Sequence, residues 1–294
     1  MIDQAESLRK MVMENKGTQT EKEKKTGLVK IFSVVSGKGG VGKTNVSVNL
    51  SISMAQMGKK VLLVDADIGM TNADIIMGIN YEYDMFDYLE GRASIEEIIY
   101  DGPEGVKVIS GGAGLLEMES LDEETQKTFI DKLIELGGFD VMVIDNGAGI
   151  SRETLSFITF AHEVILVTTP EPTAITDAYR VLKIIGFYDL KPSVKLIVNK
   201  VASNEAGNEA FNKIYATAKE FLTVNIENSG YIFNDSRVEK AIMQQNPVVL
   251  SYPNALATNN IKNIAANILD ESLYVRNIST LKQFGNRFMK IFGT

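Results

Sequence analysis

Cysteine is absent from this chain of 294 residues, and its absence excludes several kinds of site together. Without thiols there is no disulfide, no thiolate metal ligand, no iron–sulfur ligation and no cysteine nucleophile. A carrier of metal clusters is therefore excluded. The single histidine, His162, makes a histidine metal site implausible, and we expect a packed or surface imidazole without a function.

Long apolar runs and an excess of positive charge are also missing. No window approaches about 18 uninterrupted apolar residues, the length of a membrane span, and the start MIDQAESLRK lacks the apolar stretch of a signal peptide. We therefore expect a cytoplasmic protein. Because the net charge of −8 repels phosphate backbones, a DNA partner is disfavoured unless a local basic patch exists.

What the chain does contain is enough apolar material for one large α/β domain, since 45% of its residues are hydrophobic and 23% are charged. From Val29 onward, short β-branched runs alternate with longer helical patterns, which is typical of βαβ units and a parallel sheet. The predicted strands are Lys30–Val35, Lys60–Val64, Gly105–Ser110, Val141–Asp145, Val164–Thr168, Val194–Asn199 and Gly230–Phe233.

A glycine-rich loop follows the first predicted strand and opens a helical pattern over residues 44–57, the context of a P-loop. Glycines let successive N–H groups point at phosphates, and the helix N-terminus adds its positive dipole end. Lys43 should reach the β- and γ-phosphates of ATP, and the Thr44 hydroxyl should ligate Mg²⁺. The predicted nucleotide-binding residues of this loop are Gly37, Lys38, Gly39, Gly40, Val41, Gly42, Lys43, Thr44 and Asn45.

A dinucleotide-binding turn is the competing interpretation of the same glycines. Gly37, Gly39 and Gly42 also satisfy G-x-G-x-x-G, and Asp65 ends the next strand where a ribose-binding acid is expected. A nicotinamide-dependent oxidoreductase therefore stays open on those residues. Lys43 and Thr44, which such a turn does not need, and a second set of acids favour the interpretation as a P-loop NTPase.

Those acids follow two predicted strands. Asp65 and Asp67 end VLLVDADIG, and Asp145 ends VMVIDNGAG in the manner of a Walker-B aspartate. Carboxylates at strand C-termini collect around the phosphate crevice of an open α/β sheet, where Mg²⁺ and an attacking water lie. We predict a single P-loop NTPase domain of the α/β class, with a mostly parallel, doubly wound sheet flanked by helices.

The extra lysine in the P-loop, Lys38, resembles the deviant Walker A motif of the MinD/ParA ATPases, and the stretch after Val64 resembles the switch I region of MinD. The resemblance covers residues 29–270. It implies a slow, switch-type ATPase whose two ATP-bound subunits form a face-to-face homodimer, in which Lys38 reaches the partner's phosphates. Gly147–Gly149 would form switch II.

The same resemblance assigns roles to individual residues. Asp67 would orient the attacking water, so the implied catalytic residues are Asp67, Lys38 and Lys43. The implied Mg²⁺ site is formed by Thr44, Asp65 and Asp145. Asn199 would contact adenine, and Glu171 would contact nucleotide across the dimer.

The ends of the chain resemble one branch of that family, the FlhG group (also called FleN or YlxH), which sets flagellar number and placement. Asp3-Gln4-Ala5 resembles its activation segment, which implies stimulation of the GTPase FlhF through these residues, and contacts with flagellar C-ring switch proteins. Residues 272–294 carry four cations and an apolar stripe, as a helix bound to an anionic membrane surface does. Packing of that stripe on the protein's own sheet is the alternative.

We therefore divide the chain into an N-terminal activation segment (1–13), a linker (14–27), an ATPase domain (28–271) and an amphipathic membrane-targeting helix (272–294). ATP and Mg²⁺ are the expected cofactors, and the inner face of the cell membrane the expected location. The alternatives within the family are a DNA- or cargo-positioning ATPase of ParA type and a division-site ATPase of MinD type. The Asp-Asn-Gly-Ala-Gly switch II departs from the Ser-Pro that is usual in MinD.

Overall fold

The computed structural model of the chain describes residues 29–67, 72–111, 132 and 137–271. The expected N-terminal activation segment, the linker and the membrane-targeting helix lie outside these residues. The boundaries of those segments stay predictions.

Eight strands of the described residues form one sheet, in the order β3-β4-β2-β5-β1-β6-β7-β8. Every neighbouring pair is parallel except β3, which is antiparallel to β4 at one edge. The predicted fold class is thereby confirmed. The strands are β1 Lys30–Ser36, β2 Val61–Ala66, β3 Tyr100–Asp101, β4 Lys107–Ser110, β5 Val141–Ala148, β6 Glu163–Thr168, β7 Ser193–Val201 and β8 Asn225–Phe233.

Several helices begin after a residue whose side chain caps the first turn. Ser151 accepts a hydrogen bond from the Thr154 N–H, and Ser203 accepts one from the Ala206 N–H, so each satisfies an otherwise unpaired donor of a first turn. The helices are α1 Lys43–Gln56, α2 Ala73–Met77, α3 Met85–Leu89, α4 Arg152–Phe160, α5 Pro172–Phe187, α6 Asn204–Phe221, α7 Ser236–Met243, α8 Val248–Ser251 and α9 Leu256–Glu271, with a 3₁₀ turn at Pro103–Gly105.

Helices cover both faces of the sheet. Because successive side chains of each strand point to opposite faces, the strands are buried on two sides. On one face Val34 and Leu63 pack with α1 and α9, and on the other Leu62 packs with α4. Helices α5 and α6 cover the rest of the second face, beside β6 and β7. The continuous apolar runs of β2 and β6 are those expected of strands covered on two sides.

The observed strands extend beyond several predicted limits. β5 continues past Asp145 to Ala148, and β7 continues past Asn199 to Val201. β8 begins at Asn225, five positions before the predicted start, and its pairing with β7 is irregular in two places. The two-residue strand β3 was not predicted.

Near the start of β1, β6, β7 and β8, a histidine and a row of ion pairs join neighbouring strands. His162 Nδ1 accepts the Ile31 N–H at 3.1 Å. Lys195 Nζ lies 3.0 Å from Glu227 Oε2, and Lys30 pairs with Glu163. No helix in the described ranges is long and apolar enough to cross a bilayer.

Candidate nucleotide-binding site

The P-loop occupies the short connection between β1 and α1, as predicted. Gly40 and Gly42 adopt positive φ angles of 79° and 89°, which side chains other than glycine rarely accept. Gly37 is required for another reason, because a Cβ atom there would lie 2.3 Å from the carbonyl carbon and oxygen of Asp177 in α5. The loop is thus packed directly against a helix backbone.

The P-loop lysine lies in a buried cluster of polar groups. Lys43 Nζ is 2.9 Å from Asp145 Oδ1, and the Ser47 hydroxyl donates to the same oxygen at 2.7 Å. Asp67 Oδ2 lies farther away, 3.9 Å from the lysine. Because Lys43 is only 5% exposed, its charge has little water around it and is balanced by these carboxylates. The structure therefore brings together three residues predicted from distant parts of the chain.

Asp65 is held by the backbone that follows it. Its Oδ1 accepts the Asp67 N–H at 3.2 Å, while Oδ2 accepts the N–H groups of Asn72 and Ala73 at 3.2 and 3.1 Å. Burial, together with the neighbouring Asp145 carboxylate, raises the pKa of Asp65 to about 7. The carboxyl group thus joins Asp67 to Asn72 and Ala73, on either side of the stretch that resembles switch I. Its role at Mg²⁺ stays a prediction.

The residues predicted to hold Mg²⁺ fit the ion only together with a nucleotide. Asp145 Oδ2 is buried and has no hydrogen-bond partner within the described ranges, so it can accept a bond from a metal-bound water. No group of three or more acidic, histidine or cysteine side chains in those ranges could hold a metal alone. Thr44 and nucleotide phosphates would have to supply the remaining oxygens, as Mg²⁺ commonly requires. Mg²⁺ would neutralise phosphate charge there.

The extra lysine of the loop does not face the buried cluster. Lys38 Nζ lies 3.0 Å from Glu171 Oε2 and 3.1 Å from Thr173 Oγ1, at the start of α5. Its side chain is 39% exposed, in contrast to Lys43. The structure thus joins two residues, Lys38 and Glu171, that were predicted separately as nucleotide contacts.

The end of β7 holds the tip of the P-loop by two hydrogen bonds. Asn199 Nδ2 donates to the carbonyl oxygen of Val41 at 2.8 Å, and Lys200 Nζ donates to that of Gly40 at 2.9 Å. Lys200 has a positive φ of 58°, which is uncommon for a residue other than glycine. Sequence reasoning missed Lys200, because a lysine after a strand carries no distinctive pattern. The adenine contact of Asn199 stays a prediction.

Asn45 and switch II complete the surroundings of the loop. Asn45 Nδ2 is buried without a hydrogen-bond partner among the described residues, and is therefore a donor that a ligand could satisfy. In switch II, the Gly149 N–H donates to the Ser36 carbonyl at 2.8 Å. The predicted switch II is therefore hydrogen-bonded to the last residue of β1.

Comparison with known proteins decides between the two interpretations of the glycine-rich loop. The model of the ParA family described as "NUBPL iron-transfer P-loop NTPase" matches residues 27–269. The chain belongs to the ParA family of P-loop NTPases. The oxidoreductase interpretation is therefore wrong. Because this ParA-family chain has no cysteine, it provides no thiolate for the iron transfer that the description mentions.

Three similar proteins define the branch of the ParA family. The antiactivator FleN of Pseudomonas aeruginosa is 34% identical, over 82% of this chain and 86% of its own. The flagellum site-determining protein YlxH of Helicobacter pylori is 33% identical, over 91% and 92%. The structure of the septum site-determining protein MinD of Pyrococcus horikoshii with Mg-ADP has a TM-score of 0.66 and 28% identity, over 82% and 96%. These similarities confirm the predicted resemblance to MinD-type ATPases and to the FleN and YlxH branch.

Proposed function

We propose that the protein is an ATP-dependent switch that binds ATP with Mg²⁺, dimerises, hydrolyses the nucleotide slowly and controls flagellar number or placement. The observation that carries the ATPase part is the buried cluster of Lys43, Asp145 and Asp67 beside the P-loop. The flagellar part is supported by the similarity to FleN and YlxH along most of their length. The fold alone does not specify a flagellum.

The cluster supports phosphate binding because the Lys43 ammonium group can exchange its carboxylate partner for a phosphate oxygen. Lys43 is paired with Asp145, and a γ-phosphate close to the loop would compete for the same ammonium group. Asp67 stands 3.9 Å from that ammonium and is 23% exposed, so it remains accessible to a water molecule. Burial raises the pKa of Asp67 while Lys43 opposes the rise, an arrangement suited to holding a water's proton. We assign Asp67 to orienting the attacking water.

Dimerisation requires a change at Lys38. In a single subunit this lysine is bound to Glu171 and Thr173 of its own chain, so it must leave them before reaching a partner's phosphates. A second cation brought in by a partner neutralises phosphate charge only when two subunits meet. ATP binding and dimer closure are thereby coupled through this side chain.

The first experiment measures molecular mass by light scattering for the wild type and Asp67→Ala, each with ADP·Mg²⁺ and with ATP·Mg²⁺. We expect an ATP-specific dimer that accumulates in Asp67→Ala, because ATP binding persists while its hydrolysis stops. Asp101→Ala, at the exposed edge strand β3, is the matched control and should behave as the wild type. Monomers under every condition, with ATP bound, would rule out the dimer mechanism.

Membrane association is tested on the same samples with vesicles that contain anionic lipid. Residues 272–294 combine four cations, from Arg276 to Lys290, with six apolar residues at helical spacing. Deletion of residues 273–294 should abolish ATP-dependent co-sedimentation and leave ATP binding intact. Equal co-sedimentation of the truncated and complete proteins would contradict membrane targeting by this segment.

The flagellar assignment is tested through the GTPase partner. The complete chain should accelerate GTP hydrolysis by FlhF, and the combined change Asp3→Ala and Gln4→Ala should remove the acceleration without altering ATP binding. Glu14→Ala, in the adjoining linker, serves as the control. No acceleration by the unaltered chain would count against this partner, and C-ring proteins would then be the next candidates.

A further inference from the structure

A buried amide on the opposite side of β5 from the lysine cluster has no role in the site described so far. Asn146 is 1% exposed and directly follows Asp145. Its Nδ2 donates to the Ser33 hydroxyl at 2.9 Å and to the Val34 carbonyl at 2.8 Å, both in β1. The side chain therefore cross-links the strand that precedes switch II to the strand that precedes the P-loop.

This cross-link lies where the two strands go out of register. Val34 pairs with Asp145, but the next pair is Ser36 with Ala148, so two steps along β1 match three along β5. An extra residue of this kind is a β-bulge, which bends the strand and re-aims the residues that follow it. The Asn146 amide supplies donors to β1 at the position where main-chain pairing is interrupted.

The bulge decides where switch II lies relative to the phosphate-binding groups. A Cβ atom on Gly147 would be 3.3 Å from Asp67 Oδ1, so this glycine is in close contact with the residue assigned to the attacking water. The Ala148 methyl group lies 4.0 Å from the position of a Cβ atom on Gly39. Without the extra residue, each of these positions would move by one step along the strand.

We propose that Asn146 is a positioning residue for ATP hydrolysis, which holds the β5 bulge and thereby places Gly147 beside Asp67. The inference rests on the proposed ATPase function. Asn146 does not touch the nucleotide site, because it points to the face of the sheet covered by α4, whereas Asp145 points to α1. Asn146 therefore affects the positions of catalytic groups, whereas nucleotide affinity depends on the P-loop.

The first test is hydrogen–deuterium exchange of switch II in the ADP·Mg²⁺ complex, which does not depend on hydrolysis. Asn146→Ala should make the amides of residues 147–149 exchange about fivefold to tenfold faster, since a hydrogen-bonded restraint on the bulge is lost. The control is Asn49→Ala. Asn49 is another fully buried amide, bonded to the Asn45 carbonyl and the Val249 N–H, away from switch II. Equal exchange in Asn146→Ala and the wild type would overturn the proposal.

The second test separates positioning from simple destabilisation. Asn146→Ala should lower kcat for ATP by at least about tenfold with little change in KM, since small misplacements of catalytic groups are costly. Asn49→Ala should lose similar thermal stability and keep its kcat. Ser33→Ala removes one of the two β1 acceptors and should give a smaller fall.

The two proposals fail in different ways. A wild type that binds ATP without turnover would contradict the proposed ATPase function. The hydrogen–deuterium exchange measurement would then still test whether Asn146 holds the β5 bulge. A wild type that turns over, together with an Asn146→Ala variant of unchanged kcat, would overturn the positioning role alone. A parallel fall of kcat in Asn146→Ala and Asn49→Ala would assign both residues to stability.

Discussion

Lys38 and Glu171 form an ion pair of 3.0 Å although they are 133 positions apart in the chain. The pair is exposed, with side chains 39% and 64% accessible to solvent, and pairs of this kind contribute about 0.2–1 kcal/mol. The lysine is therefore restrained only weakly in the single subunit. In the proposed dimer mechanism, a restraint of this size would raise the ATP concentration needed for dimerisation without preventing it.

Thr173→Val should favour the ATP-bound dimer. The change removes the hydroxyl that lies 3.1 Å from Lys38 Nζ and keeps a similar side-chain shape. We expect the ATP concentration for half-maximal dimerisation, measured by light scattering, to fall twofold to fivefold, the range given by about 0.4–1 kcal/mol. Thr176→Val, whose hydroxyl bonds to Pro172 within the same helix, is the control. A higher ATP requirement in Thr173→Val would show that the hydroxyl assists the dimer.

Replacing Lys43 by methionine should weaken both folding and nucleotide binding, and a second change should separate the two effects. Lys43→Met leaves the fully buried Asp145 carboxylate without its partner, which costs about 3–5 kcal/mol of unfolding free energy in urea titrations. Adding Asp145→Asn removes the unpaired charge and should restore much of that stability. A fluorescent ADP analogue should bind neither variant. Recovery of binding in the double variant would contradict a direct role of Lys43 at phosphate.

Much of the central fold could be predicted because buried parallel strands require apolar runs. The runs at β1, β2 and β6 met that requirement and were placed within two residues. The polar first half of β8, which contains Asn225 and Glu227, gave no such signal, since an edge strand need not be apolar. In the site, the P-loop and the nearby aspartates could be predicted from their positions directly after the predicted strands. The contacts of Lys38 and Lys200 do not, because no local pattern encodes how residues 133 and 160 positions apart meet.

Gly37→Ala should destabilise the fold itself. The added methyl group would lie 2.3 Å from the Asp177 backbone, which cannot move without shifting α5, so we expect a loss of about 1–3 kcal/mol or more in thermal or urea unfolding. Among the described residues, the methyl group added by Gly39→Ala meets only the Ala148 methyl group, at 4.0 Å, so stability should change by less than about 0.5 kcal/mol. Equal stabilities of the two variants would show that α5 adjusts freely to the loop.

His162 should titrate well below neutrality. Partial burial, with Lys30 and Lys191 nearby, lowers its pKa from 6.5 to about 4, so the unfolded chain binds the proton more readily. Stability from this group is then complete above about pH 6.5 and falls as the pH drops towards 4. As the only histidine, it gives an unambiguous ring signal in NMR titrations. His162→Asn keeps an acceptor for the Ile31 N–H. It should remove about 1 kcal/mol of the pH-dependent change in unfolding free energy, a value kept small because solvent screens this group. A measured pKa near 6.5 would contradict the arrangement.

The two edges of the sheet affect whether copies of the protein can pair through their strands at high concentration. One edge ends in β3, only two residues long, and the other in β8, whose pairing is irregular at two places and which has Gly230 at a φ of 131°. Short or distorted edges are poor templates for a strand from another molecule. Crowded copies would therefore resist fibril-like stacking through the sheet formed by the described residues. The proposed ATP-dependent dimer would therefore have to form through other surfaces of the protein.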